Sequence, residues 1–217
     1  MNAHPTLNNA PIAEALIDIR VKLPATLKVE IIDTIYDAIK DKYPDKQEQK
    51  ISELKLDLRS EDTVNSSGAI VNGYRYISSD KKQIVQTRLD GFTLSRLHPY
   101  VKWDEMRDEA FRLWELYKDI TSPDSIIRVA VRYINILNIQ LPIKDFGDYL
   151  SAPPIVPDGL PQGISSFLNR IVISEPSIGA SAIITQALEQ IALDAAPIIL
   201  DIDAFKLKPN GMEEKDA

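Results

Sequence analysis

Residues 73–78 (GYRYIS), 83–97 (QIVQTRLDGFTLSRL), 98–120 (HPYVKWDEMRDEAFRLWELYKDI) and 125–141 (SIIRVAVRYINILNIQL) decide the fold. In order they read as strand, hairpin, helix and strand. Asp90-Gly91 lies between two alternating runs, the strongest short-range hairpin signal a sequence offers. With those two residues as the loop, Leu89 faces Phe92, Thr87 faces Leu94 and Val85 faces Arg96. One face of the ribbon is then apolar until Arg96 interrupts it. Beyond the hairpin, Trp103, Met106, Ala110, Leu113, Trp114 and Tyr117 recur at helical spacing and predict a helix with a buried stripe.

Upstream of this block, Ala15, Ile17, Ile19 and Val21 alternate with Glu14, Leu16, Asp18 and Arg20, which predicts a strand with one buried and one mixed face. Leu27, Ile31, Ile35 and Ile39 recur at spacing four, flanked by Ile32, Tyr36 and Tyr43. They predict a second long helix of roughly five turns, stopped at Pro44. The polar DKQEQK run leads into a half-buried strand in which Leu54, Leu56 and Leu58 alternate with Lys55, Asp57 and Arg59. EDTVNSSG reads as a loop.

Downstream, Val129, Val131, Tyr133, Leu137 and Ile139 share one strand face, while Arg128, Ala130, Arg132, Ile134 and Ile136 share the other. The stretch DFGDYLSAPPIVPDGLPQG reads as a surface loop with a short helix around 144–150. SFLNRIVIS, SAIITQALEQIAL and PIILDIDAFK follow as three strands, the second read as strand from its alternation, with helix over ITQALEQIALDAA as its alternative. The expected fold class is α+β: a mainly antiparallel, curved β-sheet with two long amphipathic helices packed on it. Residues 12–207 are expected to form a single domain, between a flexible lead-in over 1–11 and a flexible tail over 208–217.

Composition narrows the chemistry. The chain has 217 residues, a net charge of −7 and no cysteine. The acidic balance opposes nucleic-acid binding. Without cysteine there is no disulfide, thiolate nucleophile or Cys-ligated zinc. The N-terminus lacks a basic segment followed by an apolar one, and no window is apolar enough to span a bilayer, so a cytoplasmic protein without membrane partners is expected. His4 and His98 are the only histidines. No HExxH, GxSxG, Walker or dinucleotide-binding glycine motif occurs, and no cofactor is expected.

The fragments PIAEALIDIR (11–20), VQTRLDGFTLSRLHPYVKWDEMRDEAFRLWELY (85–117), RVAVRYIN (128–135) and DYLSAPP (148–154) together resemble a sporadically distributed family of bacterial and archaeal proteins. The resemblance runs from about residue 11 to about 205, and its middle motif is the specific part. No biochemical activity is established for that family, so the resemblance implies a family and not a function.

Arginine is what remains for chemistry. Arg88, Arg96, Arg128 and Arg132 come from neighbouring elements, with Tyr133 and Asn135 close by, and form the candidate ligand-binding set. A guanidinium on a sheet face must find a carboxylate, a carbonyl or a bound anion. Glu14, Asp18 and Asp57 occupy the mixed faces of other strands, so an inter-strand ion-pair network competes with an anion site. The leading expectation is a non-enzymatic module binding a small anionic ligand or a protein partner at an Arg/aromatic-lined sheet surface. The alternative is a metal-dependent phosphohydrolase of triphosphate-tunnel type, with Glu14, Asp18, Asp201 and Asp203 holding cations, although the Glu-x-Glu-x-Lys signature of those enzymes is missing. A homodimer completed by strand pairing is a further expectation.

Overall fold

The computed structural model describes residues 9–54, 66–100, 102–188 and 194–214. Its strands are β1 (Ile12–Lys22), β2 (Asp45–Leu54), β3 (Ser66–Ile77), β4 (Gln83–Arg88), β5 (Gly91–Leu97), β6 (Ser125–Gln140), β7 (Phe167–Glu175), β8 (Ala180–Leu188) and β9 (Ala195–Met212). Its helices are α1 (Val29–Asp33), α2 (Tyr36–Ile39) and α3 (Trp103–Thr121). The strands join in the order β2-β3-β4-β5-β1-β6-β9-β8-β7. The ladders β2–β3, β3–β4, β4–β5, β7–β8 and β8–β9 are all antiparallel. Among the described residues no helix is long and apolar enough to cross a membrane.

The expectation of two long amphipathic helices is corrected: among the described residues there is one, α3. Residues 27–43 form only two short pieces, α1 and α2. The run VEIIDTI is dense in β-branched side chains, which lose rotamer freedom in a helix. Lys28 supplies no side-chain cap. Thr34 Oγ1 donates back to the Ile31 carbonyl at 2.7 Å, and the amides of Thr34 and Ile35 bond three residues back, tightening the turn. The buried stripe is accordingly Ile32, Ile35, Ile39 and Tyr43, while Ile31 is 43% exposed.

The polar run expected to lead into a strand is itself strand β2, at one end of the sheet order. Leu56 and Leu58 of the predicted strand lie outside the described residues. The expected helix near 144–150 is a single 3₁₀ turn over Phe146–Asp148.

The chain divides into two compact units. One comprises Leu16–Arg96, Val101–Val129 and Leu207–Ala217. In it, Arg88 pairs with Gly91, so Leu89 and Asp90 are the two turn residues of the β4–β5 hairpin. The register is two residues from the expected one, and a shift of two leaves every side chain on its expected face. Gly91 is required by a close approach: a Cβ there would stand 2.2 Å from the Ile19 carbonyl oxygen. Val85, Thr87, Phe92 and Leu94 form one face, fully buried. Trp114 and Tyr117 of α3 pack their rings at 6.3 and 6.1 Å from Phe92. Met106, Ala110 and Leu113 complete the buried stripe of α3, whereas Trp103 is 39% exposed. Ser122 ends the helix in the left-handed region (φ 42), just before Pro123.

The other unit comprises Met1–Ala15, Leu97–Tyr100 and Ala130–Lys206. Its core gathers Ile139, Leu150 and Ile198 with the part-buried Leu137, Ile143, Phe146 and Phe167. The Phe146 and Phe167 rings meet edge to face at 5.6 Å.

Candidate functional site

The predicted arginines separate according to what neutralises them. Arg88 and Arg128 come together at Asp18, on the sheet face opposite Phe92. The Asp18 side chain is 8% exposed. Its Oδ1 accepts from Thr93 Oγ1 at 2.7 Å and Arg88 Nη2 at 3.2 Å. Its Oδ2 accepts from Arg20 Nε and Arg128 Nη1, both at 3.1 Å. Arg88 also donates through Nε to Asp90 at 3.0 Å and through Nη1 to Thr93 Oγ1 at 3.1 Å. Arg20 Nη1 pairs with the other oxygen of Asp90. This is the inter-strand network, built around one buried carboxylate. Arg20 belongs to it and escaped the sequence reading, although its alternation with Asp18 on β1 marks the same mixed face.

Arg132, Tyr133 and Asn135 belong to the unit containing residues 130–206. Arg132 grips Asp201 with two hydrogen bonds, Nε at 2.8 Å and Nη2 at 2.6 Å. The Tyr133 hydroxyl stands 3.2 Å from that of Tyr100. Asn135 Nδ2 donates to the Leu200 carbonyl at 3.0 Å. Of the carboxylates in the metal reading, Asp18 is surrounded by guanidinium groups and Asp201 is bound to Arg132. Among the described residues no three His, Cys, Asp or Glu side chains stand together as a metal set.

Arg96 differs. It lies opposite Gln83, on the apolar side of the hairpin, and its side chain is 13% exposed. Its nearest carboxylate is Asp80, with Nη1 3.9 Å from Oδ2. Its Nε is buried and, among the described residues, has no hydrogen-bond partner. An unsatisfied buried donor costs about 1–3 kcal/mol, more when charged. The guanidinium borders a cleft of about 510 Å³ lined also by Asp41, Lys42, Ser78, Ser79, Asp80 and Gln83.

The walls of this cleft are tied together by hydrogen bonds and ion pairs. On one side the 78–82 turn is locked: Ser78 Oγ donates to Asp80 Oδ1 at 2.6 Å, and the Lys82 amide donates to the same oxygen at 2.9 Å. These bonds hold the Asp80 pKa below its ordinary value. The Gln83 amide in turn donates to Ser78 Oγ at 2.9 Å. On the other side, the Tyr43 hydroxyl stands 2.7 Å from Gln83 Oε1 and 2.8 Å from Glu109 Oε1. Glu109 also takes Arg112 in a fork at 2.8 and 3.0 Å and Lys42 at 3.1 Å. Burial raises the Glu109 pKa, but the bonds from Arg112, Tyr43 and Lys42 outweigh it and hold it at about 2. Burial, reinforced by the Glu109 charge, pushes the Tyr43 phenol upward. Both groups therefore keep fixed protonation near neutral pH and act as scaffold.

A cleft of about 780 Å³ in the other unit is lined by residues 9–13 and 136–140 with His98 and Tyr149. Among the described residues it presents no Lys, Arg, Asp or Glu to orient a ligand, and His98 Nδ1 lies 3.4 Å from the Ile12 carbonyl. The chain matches no protein-family model and no curated protein.

Proposed function

We propose that the protein is a non-enzymatic binding module that holds the anionic group of a small molecule against Arg96. The observation that carries this is the contrast among the arginines: Arg88, Arg128 and Arg132 are bound by carboxylates within 3.2 Å, while Arg96 has one at 3.9 Å and a buried, unpartnered Nε. A carboxylate or phosphate entering the cleft would take the fork of the guanidinium in two parallel bonds and relieve the unsatisfied donor. In the cleft the Ser78 hydroxyl donates to Asp80 and accepts from the Gln83 main-chain amide, bonds that also close the 78–82 turn.

Thermal-shift and calorimetric titrations with inorganic phosphate, nucleoside monophosphates and dicarboxylates test it. At a hundredfold excess over Kd, a true ligand stabilises the wild type by about 2.7 kcal/mol. Arg96→Ala abolishes the shift and Arg132→Ala retains it. No stabilisation by any of these compounds, or an undiminished shift in Arg96→Ala, overturns the proposal.

A further inference from the structure

The two ends of the sheet order are built differently. β2, at one end, carries charge at Asp45, Lys46, Glu48 and Lys50, and its ladder slips between Gln49 and Lys50 and again between Ser52 and Leu54. Charges and bulges are how natural edge strands discourage a neighbour. β7, at the other end, is bonded to β8 in an unbroken register over all nine residues. It contains neither proline nor glycine, and only Arg170 and Glu175 are charged. Leu168, Ile171, Val172 and Ile173 are 40–73% exposed, which leaves apolar side chains uncovered on both faces of the ribbon. A regular, apolar strand at the end of the sheet order presents main-chain donors and acceptors that fit another strand.

We propose that β7 pairs antiparallel with β7 of a second copy of this chain, about a two-fold axis perpendicular to the sheet through Val172. The sequence is self-complementary only about that point. With Val172 opposite its own copy, Ile171 meets Ile173, Arg170 meets Ser174, and the Asn169 amide meets the Glu175 carboxylate, so apolar side chains match on both faces. Centring the axis on Arg170 stacks two guanidinium groups. Centring it on Ile173 places Ile171 against Glu175, and centring it on Ile171 places Phe167 against Glu175. Pairing of β7 with β2 of another copy, which would propagate a fibre, is opposed by the charges and slips of β2.

Light scattering on eluting protein and cysteine cross-linking test this in the full chain. The wild type runs as a dimer and Val172→Lys, which places two ammonium groups face to face, runs as a folded monomer whose thermal unfolding no longer depends on protein concentration. Because the chain has no cysteine, Val172→Cys supplies a single thiol per copy. Air oxidation cross-links Val172→Cys and leaves Ile171→Cys uncoupled, since its symmetry mate lies two residues away along the ladder, about 7–8 Å off and beyond disulfide reach. A monomeric wild type at every concentration, or cross-linking of Ile171→Cys without Val172→Cys, overturns the proposal. Anion binding in Val172→Lys is that of the wild type, so this test and that of the Arg96 cleft fail independently.

Discussion

Thr93 Oγ1 donates a 2.7 Å hydrogen bond to Asp18 Oδ1, tying β5 to β1 through a carboxylate that three arginines share. Removing one member of a buried ion network leaves uncompensated charge and costs about 3–5 kcal/mol. Asp18→Ala is therefore expected to lower the free energy of unfolding by that amount, read from urea denaturation. Thr93→Val, which removes one neutral donor, is expected to cost about 1 kcal/mol.

Arg132→Ala provides the contrast. The Arg132 side chain is 40% exposed, and partly solvated pairs are worth about 0–1 kcal/mol. Its unfolding midpoint is expected to stay close to that of the wild type. A loss comparable with that of Asp18→Ala would mean the Asp201 pair carries structural weight its exposure does not suggest.

Arg96→Met should behave in the opposite sense to an ordinary core mutation. Replacing a buried, unsatisfied guanidinium by an apolar chain of similar length removes a desolvation cost, so the ligand-free protein is expected to gain about 1 kcal/mol while losing its anion affinity. Denaturation without ligand and calorimetry with phosphate read the two effects separately.

Stability should fall in acid because of Glu109. Its folded-state pKa, about 2, lies below its ordinary value of 4.5. The stabilisation is present above about 4.5 and is lost as pH falls through that range toward 2, for a total of about 3 kcal/mol. Asp80, also held low, contributes with the same sign. Denaturation midpoints measured between neutral pH and about 2 should show this slope in the wild type and a shallower one in Glu109→Gln.

Gly91→Ala is expected to cost more than about 2 kcal/mol, measured by thermal or urea unfolding. The new Cβ would meet main chain at Ile19, and a φ of 153° is one that side chains rarely adopt. Ala at Gly159, which has open space around it despite a positive φ, should cost less.

What the sequence allowed to be read follows the strength of its periodicities. Strands β1, β6, β7 and β8 and helix α3 have long alternating or helical patterns, and the structure places them close to the predicted spans. The first predicted helix failed because spacing four among isoleucines satisfies periodicity while its β-branched side chains and the Thr34 back-bond oppose the conformation. β2 was missed because an edge strand in a polar sequence lacks the alternation that signals burial. At the site, the sequence supplied the guanidinium groups but not their partners. Which arginine is held closely and which only at 3.9 Å depends on the distances to Asp18, Asp80 and Asp201, and those contacts join residues apart in the chain.

Each compact unit is assembled from three separated lengths of chain, and β1, β6 and β9 run from one unit into the other. No contiguous fragment contains all of either unit without most of the other. A protease nick in the proline-rich segment between Leu150 and Phe167 would yield two pieces that each supply strands to both units. Such pieces should co-elute under native conditions and part only in denaturant.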